Sequence, residues 1–372
     1  NGLALGLFGA TVLLVIPGIG LKKLLLKQLA YNLAAVFFAF FVYELYLDFS
    51  HNGKQKTITV NGEPAISYGD YHPELGYAPR KDSLDVQVVC RKDDQFLYQV
   101  QYGLRDGRRR IPEDEVEDTA FVAFMGGSFT FGEGLNDEET LAAQFNQITG
   151  GHFKTINCGF HGYGPHHALR MLDKSFLQNK MDSSYRCRLA VYLFIPDHVR
   201  RAAGYASWDF NGPKYTLRAD SLISSGQFSG ENNARAAGNK IQRALNDMWH
   251  RSAIAHKHFR KEKIDVDERD LALTLAIFEQ LDKAWSAQKV DFILLLDPAV
   301  DEWPWRENFQ KALEQRGITS ILLSDIFSQQ DDLYIEGDGH PTAIYNQILA
   351  EYLSNEQVPY LCHQQQHRSW KH

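Results

Sequence analysis

The body of the chain alternates short apolar runs with longer amphipathic stretches. The apolar runs predict buried strands at 121–125, 153–158, 189–194, 291–296 and 318–323. The amphipathic stretches predict helices at 138–149, 166–178, around 271–281, at 305–315 and at 341–354. Continuous apolar strands that alternate with helices are typical of a parallel sheet covered on both faces. The pattern therefore predicts an α/β fold over residues 116–358, a three-layer α/β/α sandwich with a parallel sheet. In its last helix, Ile344, Ile348 and Tyr352 lie in register and predict the apolar face.

Two segments depart from this rhythm. Residues 49–115 alternate apolar and polar positions, as in Val86–Cys90 and Phe96–Tyr102, and predict a β-rich module that contains an antiparallel hairpin. Residues 199–260 form a polar, glycine-containing insertion. A long insertion is often a lid or a binding loop, and a surface elaboration without chemistry is the alternative. Residues 359–372 are expected to be a tail.

The N-terminal 48 residues are far more apolar than the body. Residues 3–19 carry no charge, and residues 29–47 carry only Glu44. A membrane-spanning helix needs about 20 apolar residues, and basic residues such as Lys22 and Lys23 between the segments favour the cytoplasmic side. We expect a membrane anchor of one or two helices over 1–48, with the body outside the cytoplasm. Two alternatives stay open: the first segment packs on a partner, or the second is a cleaved signal peptide.

Composition excludes some classes of protein. The net charge is -7 and the sequence pI is about 6.1, so no dominant basic field indicates a nucleic-acid partner. The Arg108–Arg110 run is expected to be a solvated loop. The four cysteines show no CxxC or Cys/His ligand spacing, so no metal site is predicted. Their even number permits disulfides without requiring them, and Cys158 and Cys187 are expected to be small core residues.

Ser128 follows the first predicted strand of the body, in the stretch GGSFTFGEG. A serine in a glycine turn between a strand and a helix is raised to the edge of the sheet, where backbone N–H groups can stabilise an oxyanion. Thr130 breaks the G-x-S-x-G pattern of the α/β-hydrolase elbow. A plain glycine turn is the alternative.

Two further loops supply partners for Ser128. EGDGHPT at 336–342 places Asp338 and His340 two residues apart, and side chains at i and i+2 of an extended chain point the same way. Asp338 would then orient His340 as the base for Ser128. INCGFHGYGP at 156–165 is a glycine-rich loop after another strand, from which a backbone N–H could reach the same point. Ordinary turns are the alternative for both loops.

These three motifs together resemble the SGNH (GDSL-type) hydrolases over about 115–355. Within this family, the chain resembles bacterial membrane-anchored SGNH proteins related to polysaccharide O-acetyltransferases of the alginate-acetylation type. The resemblance implies an SGNH/flavodoxin-like α/β/α fold without a cofactor, with Ser128 as nucleophile, His340 as base and Asp338 as orienter. It implies oxyanion donors from the amides of Ser128 and Gly162, with Asn157 as support for its loop. The implied location is the bacterial inner membrane, with the catalytic domain in the periplasm.

The chain departs from the family pattern at two positions. Gly127 stands before the serine, where the family often has Asp, but that side chain is not the reacting group. In LFIPDHVRR (193–201), Pro196 stands where the family has an oxyanion Asn. Proline has neither an N–H nor a donor side chain, and loss of one oxyanion donor typically costs about 10²–10³ in rate. Either His198 replaces the donor, or the site works with two donors, or the protein is impaired.

Three functions remain open on the sequence. The first is a serine esterase or O-acyltransferase that acts, through an acyl-Ser128 intermediate, on acetyl or related acyl groups of a cell-envelope or exported polysaccharide. The family implies that a transferase would receive its acyl group from a multispanning membrane acyltransferase partner. The second is a lipid esterase or lysophospholipase. The third is a catalytically impaired subunit that scaffolds a membrane complex.

Overall fold

The computed structural model describes residues 7–8, 10–12, 24–51, 56–63, 68–92, 94–112, 119–174, 176–177, 185, 187–219, 221–229, 266–328, 332–359 and 361–362. The chain divides into two compact units. One comprises Asn1–Lys56, Lys92–Gln95 and Glu231–Asp265, and the other comprises Thr57–Arg91, Phe96–Gly230 and Val266–His372.

The described elements are named in chain order. The helices are α1 (Leu24–His51), α2 (Ser128–Phe131), α3 (Leu141–Ile148), α4 (Pro165–Asp173), α5 (Asp197–Ala202), α6 (Glu268–Ser286), α7 (Arg306–Gln315) and α8 (Ala343–Tyr352). The strands are β1 (Lys56–Val60), β2 (Gly69–His72), β3 (Gly76–Pro79), β4 (Leu84–Lys92), β5 (Gln95–Arg105), β6 (Arg108–Arg109), β7 (Ala120–Gly126), β8 (Phe153–Asn157), β9 (Arg188–Phe194), β10 (Pro213–Arg218), β11 (Ser221–Gln227), β12 (Asp291–Leu296) and β13 (Ser320–Leu322).

Helix α1 is the main described part of the first unit. Its stretch Leu26–Leu47, 22 residues long, is apolar and long enough to cross a membrane by length and composition. This stretch contains the second predicted span, 29–47. Of the first predicted span, 3–19, the structure describes only residues 7–8 and 10–12.

The N-terminal part of the second unit is rich in strands, as predicted. The order β1-β4-β5-β6 forms one sheet, and β2 and β3 form an antiparallel pair. The two alternating runs of the sequence lie on β4 and β5, which are neighbours. The expectation of a solvated Arg108–Arg110 loop is wrong for Arg109. Its guanidinium is buried because it pairs with Asp137, with Nε 2.8 Å from Oδ1, and lies 4.1 Å from the centre of the Tyr102 ring.

The five-stranded sheet of the body is confirmed as parallel. Its order is β13-β12-β9-β7-β8, and each neighbouring pair runs parallel. Strand β7 is buried along its whole length, and its side chains divide between two apolar clusters. The cluster on one face contains residues of α4, α6 and α7, and the other contains residues of α3 and α8. The predicted α/β/α sandwich is therefore the observed fold.

One expectation about the core is wrong. On α8 the buried face carries Tyr345 and Leu349, while Ile344 is 43% exposed. The face with Tyr345 is the buried one because the Tyr345 hydroxyl donates to Asp297 Oδ2 at 2.8 Å. Cys158 and Cys187 are both buried in the core, as expected. Cys187 forms a disulfide with Cys362, which the even number of cysteines permitted, and Cys158 is free.

The insertion contains regular structure in its first part. Helix α5 and a 3-10 turn at Ser207–Asp209 precede the antiparallel pair β10–β11. Residues 230–260 of the predicted insertion lie outside the described residues.

Candidate active site

The candidate site lies at the carboxyl ends of neighbouring strands. Numbered by chain order within the sheet, the strands are arranged 2-1-3-4-5, with β7 first and β9 third. In such sheets the crevice between strands one and three is the point where ligands bind, because the connections leave in opposite directions there. Ser128 follows β7, and Pro196 and His198 follow β9.

The chain turns sharply to present Ser128. Gly126 has φ +148°, a conformation that L side chains rarely adopt, and Ser128 begins the short helix α2. The Thr130 hydroxyl donates to the carbonyl of Met125 at 3.1 Å and closes the turn. This geometry leaves the Ser128 amide at a helix start, where N–H groups have no partner within the helix.

The structure brings Ser128, His340 and Asp338 together. His340 Nε2 lies 2.9 Å from Ser128 Oγ, and His340 Nδ1 lies 2.7 Å from Asp338 Oδ2. A carboxylate only accepts, so Nδ1 carries the proton and Nε2 is left to accept the Ser128 hydroxyl. This is the arrangement in which a histidine can take the proton of a serine nucleophile.

The physical reason for the Asp338–His340 contact differs from the one expected. Residues 336–338 form a turn and not an extended strand. Gly337 and Gly339 on either side of Asp338 have φ +76° and +83°. The carboxylate meets the imidazole because two left-handed glycines fold the chain back, and this glycine pattern was visible in the sequence.

The loop that follows β8 is held from several sides. Asn157 Nδ2 donates to the carbonyl of Thr130 at 2.9 Å, and its Oδ1 accepts the Gly159 amide at 3.0 Å. Asn157 thus joins the loop to the helix of the nucleophile. Gly162 has φ +73°, and its carbonyl accepts Trp208 Nε1 at 3.4 Å. Trp208 belongs to the insertion, so part of the insertion contacts the candidate oxyanion loop.

His198 lies beside the residue that precedes the nucleophile. A Cβ atom at Gly127 would lie 3.1 Å from His198 Nε2. The Ile195 amide donates to Nδ1 at 3.4 Å, so the neutral ring carries its proton on Nε2. Burial, and then the charge of Arg201, holds the pKa of His198 well below its usual range. Within the described part of the chain Nε2 has no hydrogen-bond partner, which leaves a buried N–H donor beside Gly127.

Arg201 connects helix α5 to the oxyanion loop. Its Nη1 donates to the Tyr163 carbonyl at 2.8 Å, and its Nε donates to Asp197 Oδ2 at 2.7 Å. Burial by itself would raise the pKa of the Asp197 carboxyl, but hydrogen bonds from Arg200 and the charge of Arg201 outweigh burial and lower it to about 2. A Cβ atom at Gly127 would lie 2.8 Å from Arg201 Nη1, so this arginine occupies the space that a side chain there would need.

Among the residues that the structure describes, two groups of side chains lie close enough together to hold a metal ion. One, His166, His167 and Asp209, is buried and already paired. His166 Nε2 donates to Asp209 Oδ2 at 2.8 Å, and His167 Nδ1 accepts the Gly164 amide at 3.2 Å. The His166–Asp209 bond joins α4 to the 207–209 turn, whereas the Gly164–His167 bond lies within the start of α4. The other group, Glu133 with Asp338 and His340, overlaps the candidate triad.

Glu133 and His161 are site residues that the sequence interpretation missed. Glu133 Oε2 lies 3.4 Å from His340 Nε2 and 2.6 Å from His161 Nδ1. Both residues stand inside motifs that the sequence singles out, GGSFTFGEG and INCGFHGYGP. A carboxylate between two glycines, five residues after the serine, is the signal that could have identified Glu133.

Comparison with known proteins gives matches among solved structures alone. No protein-family model and no curated protein matches the chain. The chain is similar to an acetyl xylan esterase from the rumen bacterium Butyrivibrio proteoclasticus at 10% identity and a TM-score of 0.38, over 81% of this chain and 98% of that one. It is similar to AlinE4, an esterase of the SGNH-hydrolase family, at 15% identity and a TM-score of 0.33, over 67% and 99% of the two chains. A carbohydrate acetylesterase family member from Sinorhizobium meliloti matches at 10% identity and a TM-score of 0.32, over 65% and 99%.

Proposed function

We propose that the protein is a serine esterase or O-acyltransferase that forms an acyl-enzyme on Ser128. The observation that carries the proposal is the continuous contact from Asp338 through His340 to Ser128 Oγ, at 2.7 and 2.9 Å. The three residues come from two loops far apart in the chain and meet at the sheet edge where ligands bind in this fold. If the loop of Ser128 were a plain glycine turn without a nucleophile, this contact would have no explanation.

The reaction follows from this geometry in two halves. Ser128 Oγ attacks the ester carbonyl while its proton passes to His340 Nε2, and Asp338 stabilises the ring that becomes charged. The oxyanion is stabilised by the amides of Ser128 and Gly162, with His198 Nε2–H as the third donor in place of the missing Asn. His340 then gives its proton to the leaving alcohol. In the second half, His340 activates either water or a sugar hydroxyl, which releases the acyl group.

A glycan substrate is supported by Trp208. Its indole is 51% exposed and lies next to Gly162, whose carbonyl it contacts. Exposed aromatic faces beside a polar site offer a flat apolar surface on which the C–H face of a sugar ring can pack. Arg200 and Arg201, with guanidinium carbons 5.5 and 5.9 Å from the indole centre, help to hold this ring in place.

We further propose that the site lies in the periplasm of a bacterial cell, anchored to the inner membrane by α1. The length and composition of Leu26–Leu47 support the anchor. The Cys187–Cys362 disulfide supports an oxidising compartment, because disulfides rarely persist in the cytoplasm. As an O-acyltransferase the protein would need an acyl donor from across the membrane, supplied by a multispanning acyltransferase partner.

The test is an activity assay of the full chain in detergent. Wild type should release acetate from acetylated xylan or alginate oligosaccharides, or transfer acetyl from p-nitrophenyl acetate to the unacetylated sugars. Ser128→Ala should abolish both reactions. Preference for long-chain esters would favour a lipid esterase instead. If wild type and Ser128→Ala are equally inert on all substrates, a non-catalytic scaffold is the better account.

A further inference from the structure

Glu133 is held by the backbone in a position that faces the candidate triad. It stands between Gly132 and Gly134, which have φ +84° and +85°. Its amide donates to the Ser128 carbonyl at 3.1 Å, and the Gly134 amide donates to the Tyr102 hydroxyl at 2.9 Å. The residue is 8% exposed, so this carboxyl group is carried into the interior next to the nucleophile.

One oxygen of Glu133 faces two histidines. Oε2 lies 2.6 Å from His161 Nδ1 and 3.4 Å from His340 Nε2. His340 Nε2 is the same atom that lies 2.9 Å from Ser128 Oγ. Ser128 Oγ therefore makes the shorter contact with His340 Nε2, and Glu133 Oε2 makes the longer one. The His340 ring is thus placed between two carboxyl groups, Asp338 at Nδ1 and Glu133 at Nε2.

A chain of hydrogen bonds through His161 positions this second carboxyl group. Burial raises the pKa of Tyr68 far above its usual range, so its hydroxyl keeps its proton. Tyr68 OH lies 2.9 Å from His161 Nε2. When Tyr68 donates to Nε2, a neutral His161 carries its proton on Nδ1 and donates it to Glu133. The reverse tautomer would place a lone pair against the carboxylate at 2.6 Å, which is unfavourable.

His161 itself has little freedom. Its ring centre lies 4.4 Å from that of Phe131 and 5.2 Å from that of Phe160. The ring also contacts Tyr68 and Tyr102. The donor to Glu133 is therefore held in place before any substrate arrives.

We propose that Glu133 is a second carboxylate partner of His340 that stabilises the imidazolium formed when His340 takes the Ser128 proton. In this step the Ser128 O–H bond breaks, the Oγ–carbon bond forms, the carbonyl electron pair becomes the oxyanion, and the proton moves to Nε2. Before the step Nε2 presents a lone pair to Glu133, and after it an N–H that carries positive charge. The attraction therefore develops mainly in the transition state, which is the condition for acceleration. His161 and Tyr68 are positioning residues for Glu133. This role rests on the proposed function.

Several described side chains lie around Glu133 and His340. Asp338 faces Nδ1 of His340, and Phe129 packs against the ring with its centre at 5.4 Å. The other titratable side chains near Glu133 are Tyr68, Tyr98 and Tyr102, and burial raises the pKa of all three far above neutral pH. Arg109, the nearby cation above Tyr102, is paired with Asp137. Asp338 at Nδ1 and Glu133 at Nε2 are thus two carboxyl groups placed to act on His340.

The test uses an NMR titration of His340 in the full chain in detergent. In a Ser128→Ala background, Glu133→Gln should lower the pKa of His340 by about 1 unit, because an opposite charge nearby favours the protonated ring. Glu133→Asp keeps the charge but shortens the side chain, and should give an intermediate value. Glu138→Gln, which changes an exposed carboxylate in the same segment, is the matched control and should leave the pKa unchanged. Equal pKa values in the background, Glu133→Asp and Glu133→Gln would overturn the proposal.

A second measurement separates this proposal from the proposed function. In the serine-containing enzyme, Glu133→Gln should move the acidic limb of the kcat/KM profile about 1 pH unit lower and reduce the plateau. Thermal unfolding shows whether Glu133→Gln folds. If it does not, the pH profile of Glu133→Asp is compared with that of wild type instead. If wild type shows no activity on any ester, the proposed function fails, but the titration still decides whether Glu133 acts on His340.

Discussion

His198 directs Nε2 against Gly127, so that a Cβ atom there would lie 3.1 Å from this nitrogen. Pro196, two residues before His198, has neither an N–H nor a donor side chain. We propose that His198 Nε2 supplies the oxyanion donor that Pro196 cannot. Arg201 occupies the remaining space beside Gly127.

His198→Phe should reduce kcat by about 10²–10³, the usual effect of removing one oxyanion donor. KM should change little, because the missing bond forms chiefly in the transition state. Steady-state kinetics on a p-nitrophenyl ester measure both constants. Tyr192→Phe is the control, since it removes one of the two Nδ1 contacts and leaves the Ile195 amide in place. Unchanged kcat in His198→Phe would show that two backbone donors suffice.

Trp208→Ala should raise KM for acetylated oligosaccharides about 10-fold, which corresponds to about 1.4 kcal/mol of lost contact. Trp208→Phe keeps an aromatic face and should retain most of the affinity. The measurement compares KM for the oligosaccharide with KM for p-nitrophenyl acetate, which has no sugar to pack on the indole. An equal change for both substrates would argue against a sugar subsite.

Acidification should destabilise the fold between about pH 6.5 and 4. Burial, and then the neighbouring His167, lowers the pKa of His166 to about 4, and burial lowers that of His198 well below its usual range. The native state then binds fewer protons than the unfolded state, so the stabilisation is complete above the unfolded pKa and is lost as the pH falls. The slope should approach about 1.4 kcal/mol per pH unit for each histidine. Unfolding in urea at several pH values measures it.

Variants assign that slope to particular residues. His166→Gln should reduce the slope, while the same change at the exposed His152 should leave it as in wild type. A wild-type stability that stays constant from pH 7 to 5 would contradict the burial of neutral histidines.

Removal of the Cys187–Cys362 disulfide should lower the free energy of unfolding by about 2–5 kcal/mol. The bridge joins the start of β9 to the C-terminal segment and closes a loop of sequence separation 175, which restricts the unfolded chain. Cys187→Ser/Cys362→Ser is the variant, and Cys90→Ser/Cys158→Ser is a control that leaves the bridge in place. Alkylation of the unreduced, unfolded protein should modify two of its four cysteines. Modification of all four would show that the bridge is absent.

The sheet and its site loops could be predicted because their signals are local. Continuous apolar runs such as 291–296 mark buried strands, and glycines before Ser128 and on either side of Asp338 mark the turns. In such a sheet the carboxyl ends of the strands meet at one edge, which is enough to bring Ser128 and His340 into the same crevice.

The features that could not be predicted depend on contacts between residues that are far apart in the sequence. The buried face of α8 was misassigned because the Tyr345 hydroxyl donates a hydrogen bond to Asp297, a partner that helical periodicity cannot reveal. Arg109 is buried because its guanidinium pairs with Asp137 and lies over the ring of Tyr102. Glu133 was missed for the same reason, since its importance depends on His161 and His340 from two other loops.

The role of Ser128 as nucleophile is tested most directly by covalent labelling. The full chain in detergent is treated with a fluorophosphonate probe, and its intact mass and peptides are measured. We expect one adduct, on Ser128, that is absent from Ser128→Ala and forms far more slowly in His340→Ala. An adduct on another residue, or no adduct under conditions that label a known serine hydrolase, would contradict the assignment.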